Sequence, residues 1–372
     1  MLFYGLFACT PLLVALVVKL YYQCPIRENK RAKRAFLVFS GLILWLIIGL
    51  RDSSMGSTDS YKYYLNWRNM AIRNLEGLKA NIADSRMEPV YLCTAFLLSK
   101  VFPHPQFTFV LSGLFFTIAV CRFIYKNSDD VVISFVMFIT WGLYSFMVQG
   151  LRQAIAMSIC LFSIEPAKKR QLIRFLLIIL LACCFHASAI VFAVAYFVLI
   201  PWKRLSFNNK LQMITAMLIL IACSGIIIFI INNYFNRNYV EPIDDGGYVA
   251  LILYLMIIIG ALLFIQHSKS TGKSNYEVIL LGSAKERLKE TLFMALTMIG
   301  FSFYFMRYMG VGIIQRASFY FQFGQIILLP AVLKRFDRDT RRVGNAMLVI
   351  LSVLLFMYRV ETSGLTPYLF FF

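Results

Sequence analysis

The stretch KRAKRAFLVFSGLILWLIIGLRDSSMGSTDSYKYY, residues 30–64, decides the class of fold. It opens on Lys30, Arg31, Lys33 and Arg34, runs apolar from Ala35 to Leu50, then breaks abruptly into arginine, carboxylates, small hydroxyl residues and tyrosines. A continuous apolar run approaching the ~20 residues of a bilayer crossing reads as a spanning helix, whereas a membrane strand would alternate over about ten residues. Basic clusters stay on the cytoplasmic side, so the run leaves Lys30–Arg34 inside and delivers Arg51 outside.

The neighbouring sequence repeats this pattern. Leu2 to Tyr22 is apolar, with no basic residue ahead of it and Arg27 to Arg34 behind it. A cleaved signal peptide would carry positive charge before its apolar core, so this is a retained span that starts outside. Hydrophobic residues make up 60% of the chain and mean hydropathy is +0.73, which predicts an all-α, polytopic integral membrane protein. Residues 1–372 read as a single transmembrane domain with about 12 transmembrane helices and both termini outside. The formal charge of +19 lies in short clusters between apolar runs. Its partners are anionic membrane lipids and not nucleic acid.

Residues 51–88 form an external or interfacial loop. Within it Tyr64, Trp67, Ala71, Leu75 and Leu78 recur at helical spacing, which predicts an amphipathic helix lying at the membrane surface. Pro89 to Val101 offers about 13 apolar residues against the ~17 a crossing needs, so it is predicted to be re-entrant or buried in protein. Phe107 to Ile124 is then the true crossing. Further spans are expected at Val131–Met147, Leu151–Ile164, Leu172–Phe185, Ala187–Ile200, Leu211–Ile231, Tyr248–Ile265, Thr291–Phe305, Ala317–Val332 and Val343–Tyr358, with a cytoplasmic loop over 267–289.

Eight cysteines sit mostly within apolar runs without a Cys-x-x-Cys pair and read as small core residues. Three histidines and no His-x-x-x-His or clustered carboxylates leave little material for a protein-built metal site. Arginine is the conspicuous charge instead. Arg51, Arg86, Arg152, Arg307 and Arg316 all fall near outer ends of spans, where the positive-inside bias gives no reason for them. A guanidinium presents a planar fork suited to phosphate oxygens, and several forks converging would cradle a pyrophosphate. Each taken alone is equally read as a snorkelling surface residue, and Arg51 as the ion-pair partner of Asp52. His186 stands at a helix-to-helix corner on the same side, as a general base or a helix-end hydrogen-bonder; Asp59 and Glu88 are rival bases, with Asp59 also placed as a helix cap.

Arg51 with Gly56, Asp59 and Tyr61, then Glu88-Pro89-x-Tyr91, then Leu151-Arg152-Gln153-Ala154, then Phe185-His186-Ala187-Ser188, together resemble the ordered landmarks of the EpsG-like family, itself similar in role to Wzy polymerases of bacterial exopolysaccharide, capsule and O-antigen repeat units. One departure is that Ser57 and Thr58 separate Gly56 from Asp59, where a Gly-x-Asp is expected. The resemblance implies a metal-independent, cofactor-free glycosyltransferase in the bacterial cytoplasmic membrane, acting on its outer, periplasmic face. The donor would be a glycan on undecaprenyl pyrophosphate and the acceptor a second lipid-linked repeat unit, with a flippase and chain-length regulators as partner proteins. On that basis Arg152 and Arg316 form the pyrophosphate clamp with Arg51 assisting, His186 is the leading base, and Asp59 or Glu88 orients it or replaces it. Tyr61, Tyr63, Tyr64 and Trp67 could stack on sugar rings, with Tyr61, Tyr64, Arg86 and Gln153 as the substrate-binding set. An O-antigen ligase-like enzyme and a polysaccharide exporter or flippase are the competing readings.

Overall fold

The computed structural model describes residues 2–55, 58–85, 87–198, 251–252, 255–256, 258–259, 284–306, 312–362, 365 and 367–371. The expected span Leu211–Ile231, most of Tyr248–Ile265, and residues 267–283 of the expected loop lie outside them. The chain divides into two compact units: Met1–Pro166 with Gln171–Ile190 and Arg342–Phe372, and Ala167–Arg170 with Val191–Arg341.

The first unit begins with α1 (Leu2–Tyr22) and α2 (Lys30–Gly49), followed by α3 (Thr58–Ile72), α4 (Leu75–Asp84), α5 (Pro89–Val101) and α6 (Phe107–Asn127). α7 (Val131–Thr140), α8 (Leu143–Gln149), α9 (Leu151–Lys168) and α10 (Leu172–Phe185) continue it. In the second unit lie the short α11 (Val194–Val198), α12 (Ala284–Phe305) and α13 (Gly312–Leu333), before α14 (Arg338–Thr362) returns to the first. Helix α12 starts within the stretch expected to be a cytoplasmic loop.

Among the described residues four helices, α1, α2, α6 and α14, are long and apolar enough to cross a membrane, and α7 with α8 make a fifth if counted together. Their outward faces carry Leu13, Leu16 and Leu20 on α1, and Met347, Ile350 and Leu354 on α14, all exposed. A helix wearing leucine on its outer face is solvated by lipid, and its backbone polar groups are satisfied internally as a bilayer demands. The protein is a multi-pass membrane protein of helices.

Close approach of α2 and α6 fixes the C-terminal half of α2. A Cβ added at Gly113 would lie 2.7 Å from Ile48 Cγ2, and one at Gly41 would lie 3.0 Å from Cys121 Sγ. Small residues at such crossings let backbones meet, so dispersion contacts replace the absent hydrophobic drive between helices in lipid. Trp45 Nε1 adds a hydrogen bond to Val110 O at 2.9 Å.

Three features depart from the sequence reading. The predicted amphipathic helix is two helices, broken at Arg73–Asn74, where the Asn74 side chain accepts from Gly77 N at 2.9 Å and caps α4. Its buried face is also shifted: Trp67 and Leu78 are buried as expected, but Ser60, Tyr63 and Met70 are buried where Tyr64 and Ala71 are half-buried and Leu75 is exposed. The physical cause is α5, packed on α3, and Phe102, whose carbonyl accepts from Trp67 Nε1 at 2.9 Å. The third departure is the expected span Val131–Met147, which bends by 51° between α7 and α8. Gly142 sits there at φ +93°, with Arg359 Nη1 only 2.8 Å from where a Cβ would stand, and Trp141 Nε1 donates to Ser352 Oγ at 2.7 Å. Helix α5 keeps its expected bounds, and at 13 residues it is ~20 Å long against a hydrocarbon core of ~30 Å.

Candidate functional site

The site is assembled by helix ends. Glu88 immediately precedes α5, and Pro89 occupies the first helical position, where a missing N–H costs nothing. The Glu88 side chain makes no capping bond to its own helix. Its carboxylate instead reaches across to two other helices. Oε1 accepts from Ala187 N at 3.1 Å and lies 3.0 Å from His186 Nδ1, while Oε2 accepts from Arg152 Nη1.

His186 is delivered by the end of α10. Its N–H still bonds Ala182 O at 3.0 Å, but its backbone is extended at φ −159° and ψ 116°, which turns the chain out of the helix into the 3₁₀ turn Ala187–Ala193. Arg152 is delivered by a second break. Gly150 closes α8 through Gly150 N to Phe146 O at 2.8 Å, and α9 begins at Leu151. Arg152 Nε donates to Tyr63 Oη at 3.4 Å, and Tyr63 meets Tyr91 edge-on at 6.0 Å between ring centroids.

The three side chains are 18–26% exposed, shielded enough to strengthen their attraction and open enough to meet a ligand. Burial acts to raise the Glu88 carboxyl, but the His186 hydrogen bond and the Arg152 charge outweigh it and hold it at about 2. Glu88 is therefore an ionised acceptor at neutral pH. An acceptor-only partner requires Nδ1 of His186 to carry the proton, so a neutral imidazole presents Nε2 as a lone pair. A carboxylate orienting a histidine in this way is an arrangement able to serve general-base chemistry.

Arg51, expected beside Arg152, is placed differently. It is 1% exposed, with Nη1 donating to Met55 O at 3.1 Å and Ser60 Oγ at 3.2 Å, and Nη2 to Val148 O at 2.7 Å. Its Cζ lies 4.1 Å from the Phe109 ring centroid. Burial pushes its pKa down to about 10, with Tyr144 and Tyr368 opposing the shift, so it remains a cation. A guanidinium enclosed by carbonyls and an aromatic face holds protein together and leaves no fork for a phosphate. Asp59 likewise stands apart from Glu88, in the first turn of α3, paired with Lys62 at 3.2 Å. Tyr61 is exposed, Tyr64 stacks on Phe109 at 6.5 Å, and Gln153 is buried. Arg316 is exposed on α13 in the second unit. Arg86 and Arg307 lie outside the described residues.

Of the aromatics Tyr61, Tyr63, Tyr64 and Trp67 that the sequence offers for stacking on sugars, Tyr63 is the one that meets Arg152. The signal available was the spacing of Ser60, Tyr63, Trp67 and Met70, a helical stripe as regular as the one chosen.

The EpsG family profile matches residues 34–370, nearly the whole chain and every residue of this cluster. No curated protein and no solved structure matches it. The chain belongs to the EpsG family, whose members are Wzy-like polymerases.

Proposed function

We propose that this EpsG-family chain is a repeat-unit polymerase that transfers a glycan from undecaprenyl pyrophosphate to a second lipid-linked repeat unit. The reaction takes place at the outer face of a bacterial cytoplasmic membrane crossed about 12 times. The observation that carries this reading is the single carboxylate of Glu88 joining His186 to Arg152, which sets a base beside a phosphate-type cation.

In the step proposed, a hydroxyl oxygen of the acceptor sugar attacks the anomeric carbon of the donor. Its proton passes to Nε2 of His186 as the new C–O bond forms. The bond between the anomeric carbon and the phosphate oxygen breaks, and the lipid pyrophosphate leaves with the electron pair. Such a leaving group already bears its phosphates, so the protein's task is to position two substrates and stabilise developing charge. Arg152 keeps Nη2 for a phosphate oxygen, while Glu88 and Tyr63 fix the plane of its fork. The flippase that supplies substrate and the proteins that set chain length are expected neighbours.

The direct test uses purified protein in liposomes with a defined undecaprenyl-pyrophosphate-linked repeat unit. Polymerisation must release one undecaprenyl pyrophosphate per glycosidic bond formed. Polymer that grows without that release sinks the donor assignment, and transfer only to a non-repeat-unit acceptor would turn the reading to a ligase.

A further inference from the structure

Residues 367–371 run back along the outer end of α2 as a strap. Arg51 and Phe370 form an antiparallel bridge in which Asp52 N donates to Leu369 O at 2.8 Å and Phe371 N donates to Leu50 O at 3.1 Å. Tyr368 Oη donates to Ile47 O at 2.6 Å, its ring stacks on Phe3 at 4.1 Å, and Tyr4 Oη donates to Leu365 O at 2.7 Å. From the other side Gln106 Nε2 donates to Gly49 O at 2.6 Å and Arg51 O at 2.8 Å. The backbone of Arg51 is thus gripped from both flanks, far more than the end of one helix requires. Its side chain converts that grip into a hold on Val148 O in α8, just ahead of the Gly150 break that launches Arg152.

We propose that the strap is a positioning element for the active cluster, acting through Arg51 on the α8–α9 junction. This rests on the functional reading above. Arg51 is a positioning residue: it touches no reacting atom in the proposed step, and its Nη1 and Nη2 donate to Met55, Ser60 and Val148. Helix breaks in membrane proteins leave backbone groups that only neighbouring protein can satisfy, and a fixed cation at Val148 O answers that need while setting where α9 starts. Of the strap's contacts, the Phe371 N–H is the one a single substitution removes cleanly, because proline has none.

The test is amide hydrogen exchange of the full chain in lipid nanodiscs, comparing wild type, Phe371→Pro, the milder Tyr368→Phe, Arg51→Lys and the Phe371→Pro/Arg51→Lys double variant. Exchange over residues 146–154 should rise roughly tenfold in Phe371→Pro and less in Tyr368→Phe, while residues 113–124 of α6 keep wild-type protection and report an intact fold. In the double variant the increase should be no larger than in Arg51→Lys alone, the mark of two changes acting through one contact. Unchanged exchange over 146–154 in Phe371→Pro, or additive effects in the double variant, overturns the proposal. Because the readout needs no activity, it separates failure of this inference from failure of the polymerase reading, which the His186 and Glu88 variants decide.

Discussion

Arg51 and Arg152 look alike in the sequence and differ in the folded protein. Each follows a glycine by two residues at the outer end of an apolar helix or opens the next one, and each was a candidate phosphate ligand. Arg51 is sealed beneath Phe109 with neutral oxygens as its acceptors among the described residues, whereas Arg152 is part-exposed and faces a carboxylate shared with a histidine. A buried cation among carbonyls holds backbone in place, because removing it takes from those carbonyls their strongest donor. A cation beside an ionised carboxylate and an imidazole belongs to a set of groups that can move a proton and bind an anion. The comparison teaches that the company an arginine keeps, more than its position at a helix end, separates architecture from chemistry.

Substitutions break or sharpen that contrast. Glu88→Gln keeps an oxygen for the His186 Nδ1–H but removes the charge opposite Arg152. Polymer formation in membranes should fall by roughly 10²–10³-fold with the protein still present, as expected when the imidazole and the guanidinium lose the negative charge they share. The same variant should flatten one part of the pH–stability curve. A carboxyl lowered from 4.5 to about 2 stabilises the fold fully above 4.5 and loses that contribution as pH falls toward 2. Thermal unfolding midpoints between those values should therefore drop more steeply in wild type than in Glu88→Gln. Equal slopes would mean that the ion pair does not form.

Arg51→Met tests the other pole. It takes the Arg51 donor from Met55 O and leaves Val148 O with only the longer 3.5 Å bond from Ser60 Oγ, and should cost about 2–4 kcal/mol of stability, seen as a lower unfolding temperature in detergent. A variant of wild-type stability would remove the structural role. Arg152→Lys keeps the charge and loses the fork, and about tenfold less polymer is expected, with chain length read on a gel. Asp59→Asn closes the series. With Asp59 paired only to exposed Lys62 among its described contacts, polymer yield should stay within about twofold of wild type, as for most surface pairs.

Much of the architecture was legible because it depends on local chemistry. The bounds of α5 and α10 follow from Pro89, from the apolar content between the helix ends, and from His186 closing the run. The break between α7 and α8 was not legible, because its partners Ser352 and Arg359 come from α14, some two hundred residues later. The site shows the same division. His186, Glu88 and Arg152 stood out as residue types at span ends, yet Glu88 is 64 residues from Arg152 and 98 from His186, so no periodicity could pair them. The selection of Tyr63 from among its neighbouring aromatics turned on which face of α3 meets α5, and the placement of Arg51 on partners from α3, α6 and α8. That is a property of tertiary packing which a single helical stripe leaves undetermined.

The central claim is that the Glu88-oriented imidazole forms the polymer. It is tested most directly by the surface glycan ladder of cells carrying His186→Ala at wild-type protein level. The account predicts that the ladder disappears while single lipid-linked repeat units accumulate on the outer face. A full-length ladder in that variant, or single units held on the inner face, would contradict it.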